Sequence, residues 1–429
     1  MLAFAAFLMQ PHTAFAQDAA QQQALFQRMV QQPTNYDVTF EFVRVATARG
    51  DYEAAIGALE RLLFYNPRLT QVKYELGALY FRLGSYEMAK RYFNEALASP
   101  DLAPQTRARI EAYMPDADKQ LQNSRWSGFA QTGIRSQSNA NYSPASGAIL
   151  FNGNPLTLLP NAQKKSDVNW FGLAGISNDY DLDVQRGDVL ETRFVGYLTQ
   201  QSRFSELNVG LFDASIGPRL SLSNIWQGAS IKPYVIGGNT WLDNTSYMSS
   251  VGAGVDLKLP FGSRFTVGPA FEWRHNDFNS IPIASSFNTG DSYTFALGSA
   301  WQISQNLRLE NRGFYRRGDA QFTYNAFDQW AVEAALTYEY APPFTNIVRN
   351  WSISPFVRLL DTKFGAPNPT IDPTTTQHDT MWSTGAIFNF PINRWLGVST
   401  TVQYDHTDST IQNYRLNNFS VIVGPTARF

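Results

Sequence analysis

The stretch 329–340, QWAVEAALTYEY, alternates between two kinds of side chain over its whole length. A period of two residues indicates a β-strand, because successive side chains of a strand point to opposite faces. One face is apolar and ends in aromatic residues, whereas the other is polar or small. This combination favours a strand with lipid on one side and a polar interior on the other. The apolar positions are Trp330, Val332, Ala334, Leu336, Tyr338 and Tyr340.

The same alternation recurs from Trp126 to Phe429, as in RFTVGPAFEWRHN (264–276) and SYTFALGSAW (292–301). We count about fourteen strands and predict an antiparallel transmembrane β-barrel over 126–429. A soluble sandwich would have shorter strands and a more charged exposed face. An even count brings both barrel ends to the periplasmic side, where turns are short. The predicted short turns are 260–263, 304–306 and 391–393, and the predicted long outer loops are 138–165, 277–289 and 362–377.

Before the barrel, residues 20–122 have a helical pattern that contains an internal sequence repeat. GDYEAAIGALERLLFYNP is followed by GSYEMAKRYFNEALASP, so that Gly50 matches Gly84 and Ala55 matches Ala89, each 34 residues apart. This is the period of a tetratricopeptide repeat, and flanking helices at 20–33 and 103–122 would act as partial or capping units. Such stacks bind partners on a concave face, where aromatic residues and arginines are common anchors. The residues we expect on that face are Phe40, Arg44, Tyr74, Phe81 and Arg82.

The first residues, MLAFAAFLMQPHTAFA (1–16), are an apolar run that ends in an A-x-A sequence. This pattern predicts a secretory signal peptide that is cleaved before Gln17. A secreted chain with a membrane barrel belongs in the outer membrane. We therefore expect the N-terminal repeat domain to lie in the periplasm.

Composition excludes several classes of function. The formal net charge is −2 and only 16% of residues are charged, so nothing indicates a nucleic-acid partner. The chain has no cysteine, which excludes disulfides, thiol catalysis and cysteine-bound metals. No nucleotide-binding, zinc-protease or serine-hydrolase motif is present, and we expect neither an enzyme nor a cofactor or metal.

Charged residues on the inward face of the predicted strands form the candidate lumen. Fourteen strands should leave a lumen wider than that of an eight-stranded barrel. Two interpretations stay open: the charges form a cross-strand ionic network that stiffens the wall, or they contact a passing cargo. The candidate lumen residues are Arg193, Glu272, Arg274, Arg308, Glu310, Arg312, Glu333 and Arg358, with Glu191, Glu339 and Arg428 on the same face.

The last strand ends in VIVGPTARF (421–429), with an aromatic residue, Phe429, at its end. Terminal strands of this kind resemble the signature that the barrel insertion machinery reads. We therefore expect Phe429 to act as an assembly signal.

Five features together resemble the surface lipoprotein assembly modifier (Slam) family. They are the signal peptide, the internal repeat at 50–89, the change of period at Trp126, the strand count and the final VIVGPTARF. The resemblance implies an outer-membrane translocon that captures a surface lipoprotein or related secreted protein in the periplasm. It then delivers that cargo to the cell surface through or along the barrel. The alternative is an exopolysaccharide export porin with a periplasmic repeat domain, and a third class is a general porin with an accessory helical domain.

Overall fold

The computed structural model of the chain describes residues 12–429 except 185, 282–284 and 344–348. The chain divides into two compact units, one ending at Arg125 and the other spanning Trp126–Phe429. Residues 1–11 of the predicted signal peptide lie outside the described residues. Among the described residues, no helix is long and apolar enough to cross a membrane.

The first unit consists of antiparallel helices. Asn35 and Asp51 cap the second and third of them, because each side chain accepts a hydrogen bond from a backbone N–H in the first turn. Gly50 and Gly84 end the first helix of each repeated pair with φ of 79° and 80°, a conformation that favours glycine. The described helices are α1 (His12–Gln31), α2 (Tyr36–Ala48), α3 (Tyr52–Tyr65), α4 (Thr70–Arg82), α5 (Tyr86–Leu97) and α6 (Pro104–Gln120).

The 34-residue sequence repeat corresponds to two helix pairs, α2–α3 and α4–α5, with equivalent packing. Ala55 and Ala89, which occupy matching positions, are both fully buried. Phe93 is also fully buried and stacks on Tyr113 of α6, with 5.5 Å between ring centroids. The last helix therefore covers the apolar side of the second pair, as a capping helix does.

The second unit is built from strands that follow the predicted period of two. The strands are β1 (Ser124–Gln137), β2 (Ala148–Phe151), β3 (Asn154–Thr157), β4 (Asp167–Asp181), β5 (Val189–Gln201), β6 (Val209–Ser221), β7 (Ser230–Leu242), β8 (Thr245–Phe261), β9 (Phe265–Phe278), β10 (Gly290–Ser304), β11 (Leu307–Gly318), β12 (Phe327–Tyr340), β13 (Trp351–Pro367), β14 (Thr376–Pro391), β15 (Leu396–Ser409) and β16 (Leu416–Arg428).

Fourteen of these strands close into an antiparallel barrel, in which β16 pairs with β1, β1 is followed by β4, and all other neighbours are consecutive. The register keeps like faces together: Phe271 lies opposite Phe295 on the outside, and Glu333 lies opposite Arg358 on the inside. Closure leaves no edge strand, so nearly all backbone groups of the wall can pair within it. The predicted fold class, helices followed by a fourteen-stranded barrel, is confirmed.

The predicted strand bounds differ most at β13, which was expected to end near residue 361 but extends to Pro367. The added residues TKFGAP (362–367) look like a loop by composition. However, Asp361 accepts hydrogen bonds from Thr380 at 2.9 Å and contacts His378 Nε2 at 2.8 Å on the neighbouring strand. Cross-strand polar contacts therefore continue the sheet beyond its apolar part, and the predicted long loop 362–377 is shorter than expected.

The predicted loop 138–165 contains a short hairpin, β2–β3, that period-two counting missed. Its turn is Asn152–Gly153, both with positive φ, and an Asn-Gly pair is a strong hairpin signal. Backbone N–H groups of these two residues donate to Thr370 and Ile371 of the β13–β14 loop, at 2.9 Å each. This loop, which the sequence predicts to be an outer one, is thus held against another loop at the same end of the barrel.

A matched pair of glycines tests the helical packing. A Cβ on Gly77 would lie 2.5 Å from the buried Phe93 ring, whereas a Cβ on Gly57 would meet nothing within 4 Å. Gly77→Ala should therefore lower the free energy of unfolding by about 1–3 kcal/mol. Gly57→Ala should raise it by up to about 1 kcal/mol through helix propensity. Thermal unfolding of the full chain, followed by circular dichroism at 222 nm, would check both, and equal effects would contradict the packing described.

Candidate functional site

The outer wall of the barrel is apolar. Large apolar side chains stand exposed along it, such as Val235 (58% exposed) and Val251 (61% exposed). We call the end of the barrel with the short turns 305–306 and 392–395 the turn end. Aromatic residues cluster there, where Trp351 packs edge-on against Tyr340 and Phe390. An apolar band flanked by aromatic residues is the surface that a bilayer covers.

The register places all eight candidate residues on the lumen face. Arg308 contacts Glu310 at 2.5 Å along β11, and Arg358 contacts Glu333 at 3.0 Å across β12–β13. Arg312 lies opposite Glu333, but no ion pair involving it occurs among the described residues. The lumen wall therefore contains both an ionic network, which stiffens it, and a cation that lacks an ion pair in the described part of the chain and is available to a passing cargo.

Arg274 joins two neighbouring acids in the middle of the lumen wall. Its Nη1 lies 2.9 Å from Asp213 Oδ1, and its Nε lies 2.7 Å from Glu272 Oε1. The Tyr234 hydroxyl donates to the other carboxylate oxygen of Glu272 at 2.9 Å. These bonds link β6, β7 and β9, so Arg274 acts across several strands.

A more buried group, which we call the Glu191 cluster, lies near the turn end of the lumen and comprises Glu191, Arg193, Arg219, Lys232 and Asp256. Glu191 is 3% exposed and contacts three cations: Arg193, Arg219 at 2.8 Å and Lys232 at 3.5 Å. Arg219 also contacts Asp256 at 2.9 Å. Lys232 is itself only 2% exposed. The buried Glu191 carboxylate therefore connects cations from three strands, β5, β6 and β7.

The Glu191 cluster lies beside a gap in the backbone ladder between β6 and β7. Regular pairing stops after Ile216 and resumes at Leu220. Hydrogen-bonded pairs recur every second residue of an antiparallel ladder, and this alternation assigns Pro218 and Pro233 to one such pair. Because neither proline has an N–H, both ladder bonds are missing there. The ionic contacts of the neighbouring Arg219 and Lys232 therefore connect strands where the backbone does not.

Sequence reasoning missed Arg219, Lys232 and Asp256, although the same period-two parity would have placed them inside. A lumen cavity of about 510 Å³ was also not foreseen. Its floor consists of small residues, including Gly268, Ala296 and Gly298, and its rim includes Glu310, Arg312 and Glu333. The free Arg312 thus borders the open part of the lumen.

The five residues predicted on the concave face of the helices have different environments. Arg44 and Arg82 are exposed. Phe40 is half-buried against the core, and Phe81 is half-buried between Tyr86 and Tyr113. The expectation for Tyr74 needs correction: it is 7% exposed and packs against Phe93, so it stabilises the core and cannot contact a partner directly.

Glu75 lies on α4, within the electrostatic influence of Arg82 on the same helix and Arg109 on α6. Burial raises the pKa of its carboxyl, while a hydrogen bond from Gln71 and the charges of Arg82 and Arg109 offset part of that effect. The arginines therefore have an acidic neighbour, and the surface carries both signs of charge.

An exposed aromatic pair lies at the end of α3. Phe64 is 82% exposed and Tyr65 is 51% exposed, and their rings pack edge-on with centroids 5.6 Å apart. Exposed aromatic pairs are unusual on a helical unit that is not part of a membrane-spanning wall, and they are typical anchors for partners. The sequence signal for this pair was the doublet Phe64-Tyr65, which follows the complete apolar stripe of α3.

Phe429 lies at the seam where the barrel closes. Its backbone N–H and C=O both bond to Gly128 of β1, at 3.1 Å each. Its ring covers Gly128, because a Cβ added there would lie 2.5 Å from Phe429 Cζ. The residue therefore joins the last strand to the first, and its role as an assembly signal stays a prediction.

The histidines of the barrel contact aspartates near the loop end. His275 lies 2.8 Å from Asp291, and His378 lies 2.8 Å from Asp361. Within the part of the chain that the structure describes, no group of three or more His, Asp and Glu residues could hold a metal ion.

A closed antiparallel barrel with an apolar belt and a charged lumen is an outer-membrane β-barrel. No family model and no curated protein matches the sequence. A solved porin covers 71% of this chain and 100% of its own length at 10% identity, with a TM-score of 0.34. A FadL homologue from Pseudomonas aeruginosa covers 73% and 92% at 11% identity, with a TM-score of 0.37. A bacterial polysaccharide outer-membrane secretin covers 70% and 98% at 11% identity, with a TM-score of 0.33.

Removing the central carboxylate tests the Glu191 cluster. Glu191→Gln leaves three cations without their shared anion, and breaking a buried ion pair typically costs about 3–5 kcal/mol. Glu310→Gln is the matched control, because its contact with Arg308 is half-exposed and such pairs are worth about 0–1 kcal/mol. Heat-modifiable gel migration should show unfolding at a clearly lower temperature only for Glu191→Gln. Equal shifts would show that the cluster does not hold the wall.

Proposed function

We propose that this chain is an outer-membrane translocon of the Slam type. Its helical unit captures a lipoprotein or related secreted protein in the periplasm, and its barrel lumen gives that cargo a route to the cell surface. The observation that carries the proposal is the short connection between the helical unit and a barrel with a charged lumen. Only three residues, 121–123, separate α6 from β1.

The short connection supports action in series. A cargo segment held by the helical unit stays close to the barrel. A short tether raises the local concentration of that segment at the barrel to about the millimolar range. A barrel that only passes small solutes gains nothing evident from a tethered partner-binding unit. The connection therefore favours a macromolecular cargo.

The surface of the helical unit supports a protein as cargo. Arg44 and Arg82 are exposed on the first helices of the two pairs, and Phe64 is 82% exposed at the end of α3. Arginine and aromatic side chains are the residues that most often anchor protein partners. We therefore assign cargo capture to this surface.

Charge reversal tests the capture surface. Arg44→Glu combined with Arg82→Glu should weaken cargo binding at least about tenfold, because both anchoring cations become repulsive to an acidic partner. Arg91→Glu is the matched control, since Arg91 is exposed on α5, the second helix of its pair. Binding of purified chain to candidate lipoproteins, measured by biolayer interferometry, gives the result. Unchanged affinity in the double variant, or equal loss in the control, would reject this surface.

Removal of the helical unit tests the series model. A chain that lacks residues 20–122 should still form a heat-modifiable barrel, because the strands close without it. Surface display of a coexpressed lipoprotein, measured by antibody binding to intact cells, should fall strongly. Full display by the shortened chain would contradict the model.

The same assay separates the proposal from the export-porin alternative. An intact chain that displays no protein but releases polysaccharide, or conducts small solutes in planar bilayers, would favour a porin. The gene neighbourhood offers a cheap check as well, since a lipoprotein gene beside this one supports the first function and a glycosyltransferase gene supports the second.

A further inference from the structure

A cavity of about 240 Å³ lies at the turn end of the barrel and is lined by three arginines, Arg349, Arg394 and Arg428. Among the described residues that line it, Glu339 is the one acidic residue. The cavity is much larger than the ~10–15 Å³ that one water needs. It therefore has room for a small anion together with water.

The three arginines differ from the other lumen arginines in their partners. Arg274, Arg308 and Arg358 each contact a carboxylate at 3.0 Å or less. Among the residues that the structure describes, no ion pair includes Arg349, Arg394 or Arg428. Three cations around one cavity, with one acid beside them, leave an excess of positive charge there.

Local structure holds this cavity in shape. The Asn393 side chain accepts hydrogen bonds from the backbone N–H groups of Trp395 and Leu396, at 2.8 Å each. The Arg394 guanidinium stacks on the Trp395 ring, 4.8 Å from its centroid. Stacking fixes the plane of the guanidinium and leaves its N–H edge free to bind an oxyanion.

The cavity belongs to the lumen. Arg428 pairs with Phe129, and Ser352 pairs with Asn389, all on the inward face of their strands. Residues that face inward are separated from the bilayer by the barrel wall. A soluble anion in the lumen therefore reaches Arg428, whereas Arg349 and Arg394 lie in the turns at the end of the wall.

We propose that this cavity binds an oxyanion, a phosphate or a carboxylate group, at the turn-end mouth of the lumen. Guanidinium groups recognise both anions through paired, charge-assisted hydrogen bonds. The inference goes beyond the proposed function and does not depend on it, because anion binding is measured without cargo. If the proposed function holds, acidic side chains of an entering polypeptide are the anions that the site meets.

Isothermal titration of the purified full chain in detergent tests the site, with inorganic phosphate as one probe and a short polyglutamate peptide as the other. Arg349→Gln and Arg394→Gln should each weaken binding roughly tenfold, since one charge-assisted hydrogen bond is lost. Both changes lie in turns, outside the strands that close the barrel. Heat-modifiable migration verifies that each variant is folded.

Arg264→Gln is the matched control, because Arg264 is exposed in another turn at the same end and does not line the cavity. Its binding should stay within about twofold of the parent chain. Tighter binding of the peptide than of phosphate would assign the site to polypeptide carboxylates, and the reverse would assign it to phosphate. No binding of either probe by the parent chain, or equal loss in Arg264→Gln, would overturn the inference.

Discussion

The backbone hydrogen bond is the constraint on which the barrel depends. In hydrocarbon an unpaired N–H or C=O costs several kcal/mol, so strands can cross a bilayer only in a closed sheet. The pairing of β16 with β1 supplies that closure, and the bonds between Phe429 and Gly128 extend it to the last residue. The apolar exterior and the polar lumen follow from closure, because alternate side chains must then face lipid and water.

The prolines at 218 and 233 show how this wall accommodates an exception. Two opposed prolines remove both ladder bonds of one pair, at a position three residues from the end of β6. The lumen side of the same place carries two of the most buried charges of the described barrel, Glu191 and Lys232. Side-chain bonds there connect three strands around the gap. The cluster is therefore best understood as part of the wall, whereas Arg312 and the turn-end arginines are free to meet a ligand.

The sequence predicted the barrel well because its signal is periodic and repeated. A single period-two pattern, recurring fourteen times, gives the strand count and the inward faces of residues such as Arg274 and Glu333. The ends of strands were less predictable: β13 continues past Asp361, which contacts His378 and Thr380 on the neighbouring strand, and ends at Pro367. Such contacts depend on register, which is a property of two strands and not of one.

The sites were harder to predict for a related reason. Tyr74 has the chemistry of a binding residue, but its burial depends on where Phe93 and α5 lie. Likewise, Arg349, Arg394 and Arg428 are far apart in sequence, and the pairing of β13 to β16 brings them to one cavity. A pattern along the chain indicates which face a residue takes, but not which residues from other strands meet it there.

The central claim is that cargo passes through the lumen, and crosslinking in cells tests it most directly. A photo-crosslinking amino acid replaces Ala335, which lines the lumen cavity, or the adjacent Leu336, which lies on the apolar outer face. With a displayed lipoprotein coexpressed, the account predicts a cargo adduct at position 335 and none at position 336. Adducts at 336 alone, or at neither position while cargo reaches the surface, would contradict it.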